Sequence, residues 1–356
     1  MYKKKSPIIF SIIITAYNVE KFIKRSVLSA INLDFCSKNF EIIIVDDKSR
    51  DKTATILNKL KKQHPFLRII RNKKNTGPGL ARNIGLRYAK GKYISFLDGD
   101  DALKKNFFKE ISVLVEKNPD LVFFNFNFIN EKKKIYGKRK DYNKITNNKN
   151  KLLSNNISGK MENSVIFCVI KKNLINKYKI YFKKGVHEDI PVLFKYFYYS
   201  KKILKTRKVL YIKNFRKNSI INSLNKKRII DCFYAFREIP IFLRKKNLNL
   251  YKKLKSDYAR GFVGTMGNFI QLIAFHYKKQ FFKRLDYYRL VYALINKEKY
   301  IENIKYNYKT LKDRHYRNLI QSFKTTKNIY QATKKIDNNA KILKNFKKDT
   351  FNKIFL

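Results

Sequence analysis

Three carboxylates fall within four residues, Asp98-Gly99-Asp100-Asp101, directly after the run Tyr93-Ile94-Ser95-Phe96-Leu97. A short run of aromatic and aliphatic residues reads as a buried strand. Carboxylates crowded at the end of such a strand repel one another, and a divalent cation between them relieves that repulsion. Hard oxygen donors suit Mg²⁺ or Mn²⁺, ions that usually hold phosphates. Asp and Gly also make ordinary acidic turns, so this segment takes its meaning from the others.

The segment Asp46-Asp47-Lys48-Ser49-Arg50-Asp51 also follows a strand and opens a helix. An Asp here can accept a hydrogen bond from the imide N–H of a uracil. In Thr15-Ala16-Tyr17-Asn18, Tyr17 can stack on a base and Thr15 can bond base or ribose. The competing reading of Asp46-Asp47 is a capped turn, and Asp51 reads best as a helix cap. The loop from Asn75 to Gly85 opens another helix, whose N-terminus and Arg82 can face phosphate. It lacks Gly-Lys-Ser/Thr and the dinucleotide fingerprint, which argues against a P-loop and against NAD. By itself it is also a plain loop with a helix start. A second acidic pair, Glu188-Asp189, precedes a helix through Phe194 and Phe197. Such a carboxylate can act as general base toward an acceptor hydroxyl, or simply favour a helix N-terminus.

These residues need a frame. Strands are expected at Ile8–Thr15, Glu41–Val45, Leu67–Ile70, Tyr93–Leu97 and Leu121–Phe128. Helices are expected at Val19–Ile31, from Asp51 through Leu60, at Gly79–Ala89 and at Asn106–Val115. Alternating units of this kind imply a largely parallel sheet with helices on both faces. Ligands then bind beyond the carboxyl ends of the strands. Thr15–Asn18, Asp46-Asp47 and Asp98–Asp101 all fall at such ends. Residues 130–160, rich in Lys and Asn, read as an exposed insertion or mobile loop. A further strand is expected at Val209–Phe215, and helical periodicity dominates from Lys226 onward.

The chain has 356 residues, with 82 Lys and Arg against 26 Asp and Glu, a formal charge of +56. That excess suits polyanionic partners: nucleic acid, anionic lipid or phosphorylated substrate. Abundant Lys, Asn and Ile also point to a compositional bias of the source genome. Three scattered cysteines argue against a disulfide framework. The apolar stretch from Pro7 to Ala16 is too short to span a bilayer and lacks a cleavage site. The expected location is therefore cytoplasmic. The segment Ala340–Leu356 sets Ile342, Leu343, Phe346, Ile354 and Phe355 among lysines, a pattern able to dock peripherally on the inner, anionic face of the membrane. A basic nucleic-acid-binding protein or a non-catalytic membrane scaffold is the rival reading. No helix-turn-helix, zinc finger or RNA-binding aromatic signature supports specific nucleic-acid recognition.

Taken in order, these segments resemble glycosyltransferase family 2, the inverting enzymes of GT-A fold found in bacterial surface-polysaccharide synthesis. The resemblance is strong over residues 6–130, weaker to about 222 and absent beyond. It implies an α/β, Rossmann-like, mixed but mostly parallel sheet flanked by helices, in a domain of residues 1–222. A mainly helical, basic region, 223–356, would follow and contact acceptor, partner or membrane. It implies a UDP-sugar donor, a glycan or lipid-linked glycan acceptor such as capsule or lipooligosaccharide, and Mn²⁺ or Mg²⁺. Thr15, Tyr17 and Asp47, with Asp46, would hold uracil and ribose, with Asn18 and Gly99 among the nucleotide-sugar contacts. Arg82 would touch the nucleotide. Asp100 and Asp98 would take the metal, and Asp101 would face the sugar. Asp189 would be the catalytic base, supported by Glu188. Phe215-Arg216 and Ser219 resemble a degenerate later segment near the donor phosphates.

Overall fold

Ile12, Ile13 and Ile14, and Ile42, Ile43 and Ile44, are wholly buried along adjacent strands. Such unbroken runs mark strands covered on both faces. The computed structural model describes residues 8–34, 39–129, 135–139, 145–162, 164–214, 224–277 and 280–298. Strands β1 (Phe10–Ala16), β2 (Phe40–Asp46), β3 (Arg68–Arg71) and β4 (Tyr93–Asp98) alternate with helices α1 (Ile23–Ile31), α2 (Thr53–Gln63) and α3 (Pro78–Tyr88). Then come β5 (Ala102–Leu103), α4 (Phe107–Val115), β6 (Leu121–Ile129), β7 (Ile135–Arg139), α5 (Lys149–Ile157), β8 (Cys168–Lys171), α6 (Lys172–Tyr178), α7 (Asp189–Tyr199) and β9 (Ile203–Asn214).

Among the described residues the strands form one sheet in the order β3-β2-β1-β4-β8-β6-β9-β5, with β7 beside β6. The β1–β4 half is parallel, as the alternation predicts. Pairings β4–β8, β6–β8, β5–β9 and β6–β7 are antiparallel, which makes the sheet mixed. Strand β8 is four residues long and has no alternating signature of its own, so the sequence reading missed it. Glycine allows the tight layering of helix on sheet. A Cβ at Gly85 of α3 would stand 2.3 Å from Ile13 Cγ2, closer than two carbon atoms can approach.

The described parts of 130–160, residues 135–139 and 145–160, depart from the reading as an exposed insertion. They hold β7 and α5, and Ile145, Leu152, Leu153 and Ile157 are buried. The abundant Lys and Asn mask these few apolar anchors. The chain divides into two compact units, residues 1–152 with 163–217, and residues 153–162 with 218–356. The sequence reading put the divide at 222.

In the second unit α8 (Lys226–Lys246), α9 (Leu248–His276) and α10 (Phe281–Lys297) pack on one another. Asn225 caps α8 by accepting from Arg228 N–H, and Asn247 caps α9 from Leu250 N–H. Phe233 meets Phe262 edge-on, and Tyr258 donates to the buried Glu298. No helix among the described residues is long and apolar enough to cross a membrane. The expected amphipathic segment Ala340–Leu356, together with Phe215, Arg216 and Ser219, lies outside the described residues.

Candidate active site

The parallel register brings the three polar strand ends together. Ala16 lies opposite Asp46 between β1 and β2, and Thr15 lies opposite Asp98 between β1 and β4. Main-chain bonds carry the junction past the strands. Asp47 N–H donates to Ala16 O at 2.8 Å, and Gly99 N–H to Thr15 O at 2.9 Å. Tyr17 stands 39% exposed at the mouth, free to stack on a planar ligand. Asn18, at φ +50°, donates its N–H to Ser49 Oγ and accepts from Arg50 N–H. It therefore ties the β1 end to the β2 loop. Asp51 accepts from Thr53 N–H at 3.0 Å, and from Glu20 N–H, the capping role expected for it. Burial pushes its carboxyl up, but those bonds win and hold it below the usual range.

Asp46 and Asp47 are both buried. Asp46 accepts from Ser49 N–H and faces Arg71 Nε at 3.2 Å. Asp47 organises a loop. Its Oδ1 accepts from Asn72 Nδ2 at 2.6 Å and from Thr76 Oγ1 at 2.8 Å, while its Oδ2 accepts from Gly77 N–H at 2.7 Å. Thr76 N–H is shared between the two oxygens. With its lone pairs so used, only Oδ2 retains room for a further donor.

Helix α3 assembles the rest. Gly77, at φ +90°, adopts a backbone that favours glycine just before Pro78 starts the helix. Arg82 is buried one turn in, beside the rings of Phe96 and Phe182. Its Nη2 meets Asp98 Oδ1 at 2.9 Å and its Nη1 meets Glu188 Oε1 at 2.7 Å. Burial alone would lower the Arg82 pKa, but Asp98 and Glu188 outweigh it and hold the guanidinium charged. The sequence reading set Arg82 against the nucleotide. In the structure it bridges two carboxylates from distant parts of the chain.

Two more α3 residues make the bridge possible. Asn83 clamps Phe182 at two points, donating to its carbonyl at 2.7 Å and accepting its N–H at 3.0 Å. Gly79 leaves space for the returning chain, since a Cβ there would lie 2.4 Å from Glu188 Cγ. Gly185 and His187, at φ +140° and +67°, turn that chain into α7. Asp189, half-buried, is the first residue of that helix. Burial pushes the Glu188 carboxyl up; Arg82 pulls it down, Asp189 adds to the rise, and the net position is about 7.

In the turn, carboxylate oxygens of Asp98, Asp100 and Asp101 all lie within 4.8 Å of one another. That all-oxygen set fits Mg²⁺ or Mn²⁺. Asp98 and Asp100 are partly exposed, whereas Asp101 is buried with both oxygens engaged by the protein. Asp98 and Asp100 are thus the two of the three that solvent reaches. Burial first, then Asp100 and Asp98, push the Asp101 carboxyl well above the usual range. Facing a sugar was expected of Asp101; it points instead to Tyr211 and Asn214. Asn72, Thr76, Asn83 and Tyr211 escaped the sequence reading. The first three sit in or beside the Asn75–Gly85 motif, while Tyr211 carries no local signal.

The sequence profile "Glycosyl transferase family 2" matches residues 11–181. The chain is 31% identical over 180 residues to the poly(ribitol-phosphate) beta-N-acetylglucosaminyltransferase TarP of Staphylococcus aureus, covering 49% of this chain and 52% of that protein. It is 37% identical over 102 residues to the minor teichoic acid biosynthesis protein GgaB of Bacillus subtilis, covering 29% and 11%. The glycosyltransferase GlyG of Streptococcus pneumoniae is 25% identical over 269 residues, covering 69% and 88%. The chain spans about half the length of TarP and far less of GgaB. Among solved structures, S. aureus TarS 1–349 in complex with UDP-GlcNAc superposes with a TM-score of 0.60 at 20% identity, covering 82% of this chain and 92% of that one. The likeness establishes the GT-A fold.

Proposed function

We propose, from the match of residues 11–181 to the family 2 glycosyltransferase profile, that the chain moves a sugar from a UDP-sugar to a hydroxyl of a bacterial surface glycan, inverting the anomeric carbon. The observation that carries this reading is the Arg82 bridge. One buried guanidinium joins Glu188, the neighbour of Asp189 in sequence, to Asp98, whose carboxylate clusters with that of Asp100. On this reading the proton acceptor and the diphosphate site are joined through one side chain. Tyr17 stacks on the uracil, Thr15 bonds the nucleoside, and Asp47 Oδ2 takes the imide N–H. Asp98 and Asp100 would hold Mn²⁺ or Mg²⁺, which when bound neutralises charge on the leaving diphosphate. Asp189 takes the proton of the acceptor hydroxyl as that oxygen attacks the anomeric carbon. Arg82 holds Glu188 next to that base through its 2.7 Å contact.

The acceptor is a capsule-like or lipid-linked glycan, or a polyol-phosphate chain of the kind named for TarP. A formal charge of +56 suits a phosphate-rich acceptor and the anionic inner face of the membrane. A panel of UDP-sugars tests the reading, with Mn²⁺, Mg²⁺ or EDTA, for wild type and Asp189→Asn. Metal-dependent turnover of one donor, lost in the variant, is expected. Turnover of none, together with strongly salt-dependent nucleic-acid binding, would return the chain to the basic-partner reading.

A further inference from the structure

The four-residue turn Asp98–Asp101 is held at both ends by a single hydroxyl. Asp98 N–H donates to Tyr211 Oη at 3.2 Å, and Tyr211 Oη donates to Asp101 Oδ2 at 2.7 Å. The other Asp101 oxygen, Oδ1, accepts from Asn214 N–H at 2.7 Å. Tyr211 is wholly buried, and its ring meets Phe167 edge-on with centroids 5.4 Å apart. Phe167 in turn stacks on Phe126 of β6. Leu103 of β5 pairs with Tyr211 itself in the antiparallel ladder, and Lys104 N–H donates to Leu210 O. The ring is therefore anchored by β5, β9 and Phe167 and not by the turn alone.

The opposite side of the turn is tied to α1. Arg25 Nη2 donates to Asp100 O at 2.6 Å and Ser26 Oγ to Asp98 O at 3.2 Å. Those two bonds reach carbonyls and leave the carboxylates untouched. Tyr211 joins the N–H of one acidic residue of the turn to the carboxylate of another.

We propose that Tyr211 is the positioning residue of the metal turn: its hydroxyl pins Asp101 inward and Asp98 N–H in place, so that Asp98 and Asp100 present their oxygens together. Asp101 is then an anchor, with Asp98 and Asp100 the ligands. This rests on the reading of the turn as a metal site. Without the hydroxyl, a buried carboxylate and a main-chain N–H both lose a partner, and the turn gains freedom to relax.

Tyr211→Phe keeps the ring and deletes only the oxygen. Two measurements on the full chain test it: hydrogen exchange of the peptide spanning residues 96–103, and Mn²⁺ affinity without donor, read by electron paramagnetic resonance. Exchange in that peptide is expected to quicken at least about tenfold, a loss of roughly 1.4 kcal/mol of local protection. Mn²⁺ is expected to bind about tenfold more weakly, with a matching rise in donor KM and little change in kcat. Asp101→Asn is expected to weaken Mn²⁺ similarly, and the double variant no further, because both break one linkage. Unchanged exchange and Mn²⁺ affinity in a folded Tyr211→Phe protein would overturn the proposal. So would fully additive losses, the mark of Asp101 as an independent ligand. If the wild type binds no Mn²⁺ while exchange still quickens in Tyr211→Phe, the positioning role stands and the metal reading of the turn falls.

Discussion

Arg82 and Glu188, 106 residues apart in the chain, meet at 2.7 Å with both side chains 5% exposed. A buried pair of this kind contributes little net stability over an apolar pair, yet breaking it strands a charge. Its value here is placement, because the second arm of the same guanidinium holds Asp98.

Arg82→Met should cost about 3–5 kcal/mol of stability, the usual penalty for a stranded buried charge. Thermal unfolding reads it. Turnover should fall by at least about a hundredfold, as for loss of a preorganised polar contact. Arg82→Lys should recover stability better than turnover, since one ammonium cannot reproduce the two-armed fork. Equal recovery of both would remove the bridge from the mechanism.

The pH profile follows from Glu188. Its folded carboxyl titrates at about 7 against an ordinary value of 4.5. A raised folded pKa means that proton-linked stability is present below 4.5 and is lost as pH rises through about 7. Activity runs the other way, because only the ionised carboxylate pairs with Arg82. The acidic limb of kcat/KM should rise through about pH 7. Glu188→Gln should flatten that limb while lowering the plateau. A limb that persists unchanged in the variant would assign it to another group.

Gly79→Ala tests the close approach of α3 to the returning chain. The added methyl would meet Glu188 Cγ at 2.4 Å, Phe182 Cβ at 3.0 Å and Lys183 O at 3.1 Å. Overpacking of this order costs about 1–3 kcal/mol. Because relief moves Glu188, kcat should drop more than KM rises. Wild-type kinetics with a lowered melting temperature would confine the glycine to packing.

Asp47→Asn replaces an oxygen with an amide. Whichever way the amide is turned, one N–H group then faces the donors Asn72, Thr76 or Gly77. The 72–77 loop should loosen and donor KM should rise about tenfold, the result of losing a charged acceptor worth roughly 1.5–3 kcal/mol. Calorimetry with UDP checks it, and unaltered UDP affinity would separate this loop from the nucleoside site.

Much of this frame is legible in the sequence, for a physical reason. Unbroken apolar runs such as Ile12–Ile14 and Ile42–Ile44 leave little choice but a two-sided strand, and the acidic clusters must then sit at strand ends. The same logic fails for β8, whose four residues carry too short a pattern, and for 145–157, where four buried apolar residues hide among Lys and Asn. Partners fail differently. Glu188 and Asp98 each look like exposed turn carboxylates until the fold brings Arg82 between them. Tyr211 is one aromatic among 24 tyrosines, and only the β5–β9 pairing gives it a task.

Helix α3 has a consequence for how such a chain can diversify. Gly79, Arg82 and Asn83 fix the acidic pair from a segment that lies wholly within residues 78–88. The loop from Tyr181 to Glu188 is therefore tied to α3 at two points, Phe182 and Glu188. Lys184, exposed between those two ties, can change without disturbing either of them. Under the proposed function, a new side chain there alters what the loop shows to a substrate and leaves the hold on Glu188 as it was.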